Sequence, residues 1–365
     1  MTKIKDIIQH LEILAPTVYQ ESYDNSGVLT GDISWEVSGV LISIDATEAV
    51  IDEAVSKGCN LVISHHPIIF KGLRKLTGSN YVERTIIKAV KNDICLYAIH
   101  TNLDNVRWGV NQRIAEKIGL KNTEILRMKK DDLMKLETFV PPAQKDAVLE
   151  ALFQSGAGQI GKYEECSFQT KGTGTFRGGA ESTPFLGNTG EFEKANEIKL
   201  ELIYPGHLNN QIITALKSSH PYEEVAYYVH ELANIHQDIG AGMIGSLDEA
   251  IPAGNFLKNL KEHMNLKVIK HTSLCVKNVR KIAVCGGSGG FLLKDAIAAD
   301  ADVFITADMK YHEYFDADGR IIIADIGHYE SEVFTKDLIY DILTKKFANF
   351  AVNLSETVTN PISYL

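Results

Sequence analysis

The chain has 365 residues, 45% of them hydrophobic and 23% charged, the composition of a globular protein with room for roughly two or three domains. Its 37 Lys and Arg against 47 Asp and Glu leave a formal charge of -10, which argues against a protein that binds nucleic acid by neutralising the backbone. No apolar run approaches the roughly 20 residues of a membrane span, and the opening Met1-Thr2-Lys3-Ile4-Lys5-Asp6 lacks the apolar core of a secretory signal, so a cytoplasmic protein is expected. Residues 4–14 have helical spacing, 37–44 reads as a strand, 48–57 as a helix, and 61–64 and 94–99 as short buried strands. Apolar strands separated by helical patterns predict a parallel or mixed sheet with helices on its faces. The segment 131–234 changes character. Its strand 136–140, helix 144–153, Gly- and Thr-rich 171–176, strand 199–204, helix 208–218 and closing 225–229 give the β-α-β-β-α-β order of a ferredoxin-like insert. The first grammar then returns at 282–285, 303–305 and 321–326, followed by a helix through about Lys345. The expected organisation is an N-terminal α/β lobe over 1–130, the insert over 131–234, and a C-terminal α/β lobe over 235–365.

Five scattered cysteines, Cys59, Cys95, Cys166, Cys275 and Cys285, are never spaced as CxxC. They predict buried reduced thiols rather than disulfides or a thiolate zinc site. A metal here would be held by nitrogen and oxygen, which suits zinc, manganese, iron or cobalt. Candidate ligands lie where strands end. His65 and His66 close the run Leu61-Val62-Ile63-Ser64, and Pro67 ends ladder pairing, so a bend can turn both rings toward one pocket. His100-Thr101-Asn102-Leu103-Asp104 follows the strand 94–99. His328 and Glu332, four apart after 321–326, share a helical face. Ligands gather at the C-terminal edge of open α/β sheets, and this many histidines and carboxylates exceed what one tetrahedral ion needs. A dinuclear site is therefore expected, with a carboxylate between the ions and a water made nucleophilic near neutral pH.

Other motifs carry less. Gly286-Gly287-Ser288-Gly289-Gly290 can receive a phosphate on backbone N–H groups or simply make a tight turn. Tyr311-His312-Glu313 can line the pocket or begin a helix. Gly240-Ala241-Gly242-Met243-Ile244-Gly245 fits GxGxxG, but no apolar strand precedes it and Pro252 soon interrupts any helix, so it is not a dinucleotide fingerprint. His220-Pro221-Tyr222-Glu223-Glu224 reads as a structural or pocket motif of the insert.

Ser64-His65-His66-Pro67, His100-Thr101-Asn102-Leu103-Asp104, the run from Thr306 through Asp308 to Glu313, and Gly327-His328-Tyr329-Glu330-Ser331-Glu332 together resemble the GTP cyclohydrolase I type 2 homolog family, also called YbgI-like or NIF-three-like. The resemblance spans essentially the whole chain, and the middle segment is similar to the PII-like, CutA-like insert of longer bacterial members. It implies a two-lobed NIF-three-like α/β core and two divalent ions per chain, zinc first among the candidates. The implied ligands are His65, His66, Asp104, His328 and Glu332, with Glu332 bridging. His100 matches a position beside the metals, in a supporting or general acid/base role suited to an imidazole that titrates near neutrality. Asp45 and Asp24-Asn25-Ser26-Gly27 match segments near the cleft, although turn formation accounts for them equally. Met243 stands where many members carry Arg, which weakens the grip of that loop on an anionic substrate. The implied assembly is a toroidal homohexamer whose cavity admits small molecules, a nucleotide among them, or single strands. The leading expected function is metal-dependent hydrolysis of a purine nucleotide, opening the GTP ring at C8 with release of formate. Alternatives are a dinuclear phosphoesterase and a non-catalytic, metal-binding regulatory or interaction protein.

Overall fold

In a computed structural model that describes residues 2–130 and 132–365, the short apolar runs are strands covered on both faces. Gly39–Ser43, Leu61–Ser64 and Cys95–Ala98 are buried at every position, which is why they read as continuous apolar runs rather than alternations. They form a five-stranded sheet in the order Gly27–Thr30, Cys95–Ala98, Leu61–Ser64, Gly39–Ser43, Ala351–Leu354. All neighbours are parallel except the edge strand Gly27–Thr30. A six-stranded sheet runs in the order Lys270–His271, Ile322–Asp325, Val303–Ala307, Asn278–Ser288, His236–Pro252, Lys121–Lys129. Its Asn278–Ser288, Val303–Ala307 and Ile322–Asp325 strands are parallel neighbours. Helix Ile4–Leu14 buries Ile4, Ile7, Ile8 and Leu11, the stripe of an amphipathic helix.

The described residues divide into two compact units, one made of 2–127 with 239–365 and the other of 128–238. Asp131, where the insert was expected to start, lies outside the described residues. The second unit has the order Leu133–Val140, Lys145–Gln154, Phe168–Arg177, Phe192–Pro205, Asn209–Ser219, Tyr227–Leu232, the anticipated β-α-β-β-α-β. Its strands are antiparallel, with the first between the third and fourth, which is ferredoxin-like topology.

The C-terminal block is not confined to the second sheet. Ala351–Leu354 crosses back to pair with Gly39–Ser43, a connection that a four-residue strand does not advertise in its sequence. The segment beyond it is held by one carboxylate: Glu53 accepts from Ser355 Oγ at 2.6 Å, Glu356 N at 2.9 Å and Thr357 Oγ1 at 2.7 Å. Burial pushes the Glu53 carboxyl up, but these donors outweigh it and hold the group at about 2 against an ordinary 4.5. A depressed carboxylate contributes stability above its unfolded value and loses it as pH falls through the folded one. Thermal melts should therefore show Glu53→Gln less stable than the parent at pH 7, with the gap closing between pH 4 and pH 2. A gap that stays constant with pH contradicts this anchoring.

Among the described residues, no helix is long and apolar enough to cross a membrane. Cys59, Cys95 and Cys285 are buried as expected, whereas Cys275 is exposed and Cys166 half-buried.

Candidate metal centre

The histidines and carboxylates singled out from the sequence meet at the C-terminal ends of parallel strands from both sheets. His65 and His66 follow Leu61–Ser64, yet their amides stay in the ladder, donating to the Ser43 and Ile44 carbonyls at 3.2 and 2.9 Å. Pairing stops at Pro67, which has no N–H. The two rings then lie 5.0 Å apart, tilted 45°. His100 stands at the start of the short helix Thr101–Asp104, after Cys95–Ala98. His328–Glu332 follows Ile322–Asp325 through Gly327, whose φ of 91° lies where glycine is favoured.

The orientation of the rings is specific. His65 Nδ1 lies 2.9 Å from the Ile99 carbonyl, which can only accept, so Nδ1 carries the proton and Nε2 presents its lone pair. His66, His100 and His328 repeat the device on carboxylates, with Nδ1 on Asp45 at 2.8 Å, Asp24 at 2.8 Å and Asp308 at 2.7 Å. Each Nε2 is left to face a common centre, the arrangement that orients metal-ligating imidazoles. There, Glu332 Oε2 lies 2.9 Å from His66 Nε2 and 3.2 Å from His328 Nε2, while its Oε1 is 3.9 Å from His65 Nε2. Asp104 Oδ1 is 3.6 Å from His65 Nε2. Ligand atoms of His65, His66 and His100 fall within 4.8 Å of one another, and so do those of His66, His328 and Glu332. His66 belongs to both groups, and the geometry places His100 among the converging rings rather than behind them.

The donor set fits a cation. His65 Nε2 and Asp104 Oδ1 are buried without a hydrogen-bond partner, a costly state that a metal ion between them relieves. Burial pushes His66 and His328 down, but the hydrogen bonds that His66 donates to Asp45 and Glu332, and His328 to Glu332 and Asp308, outweigh it and raise them to about 10 and about 9. Burial pushes Glu332 up, and the surrounding imidazoles pull it well below the ordinary carboxylate range. The cluster is thus built for positive charge beside Glu332, and a metal entering it displaces protons. Gly287 completes the cradle: at φ 60°, a Cβ there would stand 2.3 Å from Glu332 Oε1.

Several expectations change. In the glycine run 286–290, three amides are already committed, Gly286 N to Asn111 Oδ1, Gly287 N to Ser331 Oγ and Gly289 N to Thr306 Oγ1, which favours the tight turn over a phosphate cup. Tyr311 lines a separate cavity with Lys270 and Phe315 instead of this one. The GxGxxG-like run lies within the strand His236–Pro252, in keeping with its rejection as a dinucleotide fingerprint. Asp24 and Asp45, for which turn formation was an equal reading, orient His100 and His66. Asp308, given no role from the sequence, orients His328 and lies at φ 56°. Its place just past the Val303–Ala307 strand, within the Thr306-to-Glu313 run, could have signalled it.

The cluster opens into a cavity of about 630 Å³. Fold and site together define an α/β protein with a histidine–carboxylate cluster able to hold a metal ion. The sequence matches the family described as Duf34/NIF3 (NGG1p interacting factor 3) over residues 2–361, and the chain belongs to that family. It is 37% identical to a Halalkalibacterium halodurans protein named GTP cyclohydrolase 1 type 2 homolog, covering 98% of each chain. It is 34% identical to the Bacillus subtilis protein of the same name, over 99% of this chain and 98% of that one. The crystal structure of a Bacillus cereus protein related to NIF3 superposes with a TM-score of 0.87 at 35% identity, covering 100% of this chain and 99% of that one.

Proposed function

We propose that the chain is a dinuclear metal hydrolase acting on a purine nucleotide. The observation that carries this reading is the convergence of four Nδ1-anchored imidazoles, three of them within 4 Å of Glu332, in two ligand groups that share His66. His65, His66, Asp104, His328 and Glu332 would hold the two ions. Bound divalent ions, zinc first and otherwise manganese, iron or cobalt, would polarise the substrate and lower the pKa of a water. His100, anchored by Asp24, would accept and return a proton at Nε2, because it faces the same centre and its far nitrogen is fixed. A homohexameric ring is part of the same proposal.

The cavity wall favours a ring over a phosphoester as the reacting part. Tyr23, Phe70, Tyr81 and Phe291 line the cavity and are each at least half exposed, surfaces on which a planar base can stack. No Lys or Arg is among its described lining residues, so a phosphate inside would have the proposed ions alone as cationic partners. Lys71, Arg74 and Lys75, directly after Phe70 and exposed, suit a phosphate tail outside it. The names of the two bacterial relatives support the same reading. With zinc- or manganese-loaded protein, formate should be released from GTP and lost in His100→Ala with metal retained. Phosphate release from model esters without formate would instead assign a phosphoesterase, and neither product with full metal content would assign a non-catalytic metal protein.

A further inference from the structure

The unit 128–238 holds a cavity of its own, of about 690 Å³, that the metal chemistry leaves unused. It lies on the helix-free face of the ferredoxin-like sheet. Leu136, Val140, Ile198, Leu200 and Leu202 pack against Val148, Leu152, Ile212 and Leu216 of the helices, so the alternate residues Phe139, Glu197 and Lys199 face the other way.

The walls are built. His220 is buried, with its Nε2 on the Phe139 carbonyl at 3.0 Å and its Nδ1 accepting from Tyr222 N at 3.1 Å. Tyr222 Oη donates to Glu197 Oε1 at 2.8 Å, and Glu223 Oε1 accepts from Thr183 N at 2.9 Å. The loop that Thr183 belongs to is closed at its base by Gly190 N on the Gly178 carbonyl and Arg177 on the Gly190 carbonyl, both at 2.9 Å. The His220-Pro221-Tyr222-Glu223-Glu224 motif therefore ties the cavity's strand, loop and carboxylate together.

Inside are rings and one buried charge. Tyr222 stands 6.5 Å from Phe176 and 6.1 Å from Phe185, ring centre to ring centre. Glu197, 9% exposed, lies against Gly174 so closely that a Cβ there would come within 2.0 Å of Oε2. Gly172 also lines the cavity, where a Cβ would meet no atom within 4 Å. Rings with a carboxylate among them offer faces for stacking and an acceptor for a donor edge, while the glycines let a flat group approach the backbone.

We propose that this cavity binds a planar heteroaromatic ligand bearing an amino group, the ring packed among Phe176, Phe185 and Tyr222 and the amino group donating to Glu197. The test is titration of the full chain by ligand-observed NMR with adenosine, guanosine and cytidine, using purine riboside as the control that lacks the amino group. Adenosine should saturate a site, and purine riboside should bind about tenfold more weakly, the loss of one charge-assisted hydrogen bond. Glu197→Gln should weaken adenosine by a similar factor and Gly172→Val should abolish binding, while Glu332→Ala leaves it unchanged. Failure of all three nucleosides to bind at millimolar concentration overturns the proposal, as does equal affinity for the control. Binding that follows Glu332→Ala moves the ligand to the metal cleft. Loss of self-association in Gly172→Val, read by sedimentation, makes this face an interface between copies, and the proposal fails.

Discussion

Glu332→Ala should abolish metal binding while leaving the chain folded. Glu332 is 2% exposed and within 4 Å of three imidazole Nε2 atoms, so its removal leaves His65, His66 and His328 without the charge that draws a cation among them. The imidazoles can lose their protons and become neutral, and the strands and helices around them keep their packing, so the fold survives. Metal content after dialysis should fall to background, with circular dichroism unchanged. Asp45→Ala is the internal standard, because Asp45 holds the far nitrogen of His66 and not the one that faces the centre; it should cost about 10–100-fold in affinity, as loss of an orienting partner does. Equal metal content in Glu332→Ala and the parent contradicts the assignment.

Gly287→Ala should have nearly the same effect from a residue that cannot bind metal. A side chain at φ 60° costs about 1 kcal/mol in the backbone alone. The added methyl also takes the place of Glu332 Oε1 at 2.3 Å and crowds His328 Cε1 at 3.4 Å. The carboxylate must therefore move off the axis between the histidines. Metal affinity should drop at least a hundredfold, with only a modest loss in melting temperature. Gly254→Ala, where a Cβ meets nothing within 4 Å, should change metal content not at all. If Gly287→Ala binds metal like the parent, the close approach of Glu332 to that α-carbon is not a feature of the working site.

Much of this was legible in the chain. Strands such as Leu61–Ser64 announce themselves because both faces are buried, and the adjacent His65, His66 and Pro67 mark where one ends and side chains are released toward an edge. The four-residue spacing of His328 and Glu332 carries over directly into a 3.2 Å contact. The insert's order was readable from its alternating elements. Less legible were partners brought from far away in sequence. Asp24 meets His100 across 76 residues, and an Asp in an Asp-Asn-Ser-Gly run looks like any turn. Thr359 reaches Asp45 across 314 residues, from a tail whose return to the first sheet has no local signature. The two readings of the glycine run, phosphate cup or tight turn, could not be separated from sequence, because Asn111, Ser331 and Thr306, which take three of its N–H groups, are brought near only by the fold.

The most direct test is the metal content of the purified parent chain, loaded with zinc or manganese, dialysed at pH 8 and analysed for metal and protein together. The account predicts close to two ions per chain, each displaced only by a strong chelator. A chain that retains none under these conditions, while its fold is intact, contradicts the reading of the histidine–carboxylate cluster on which the proposed chemistry stands.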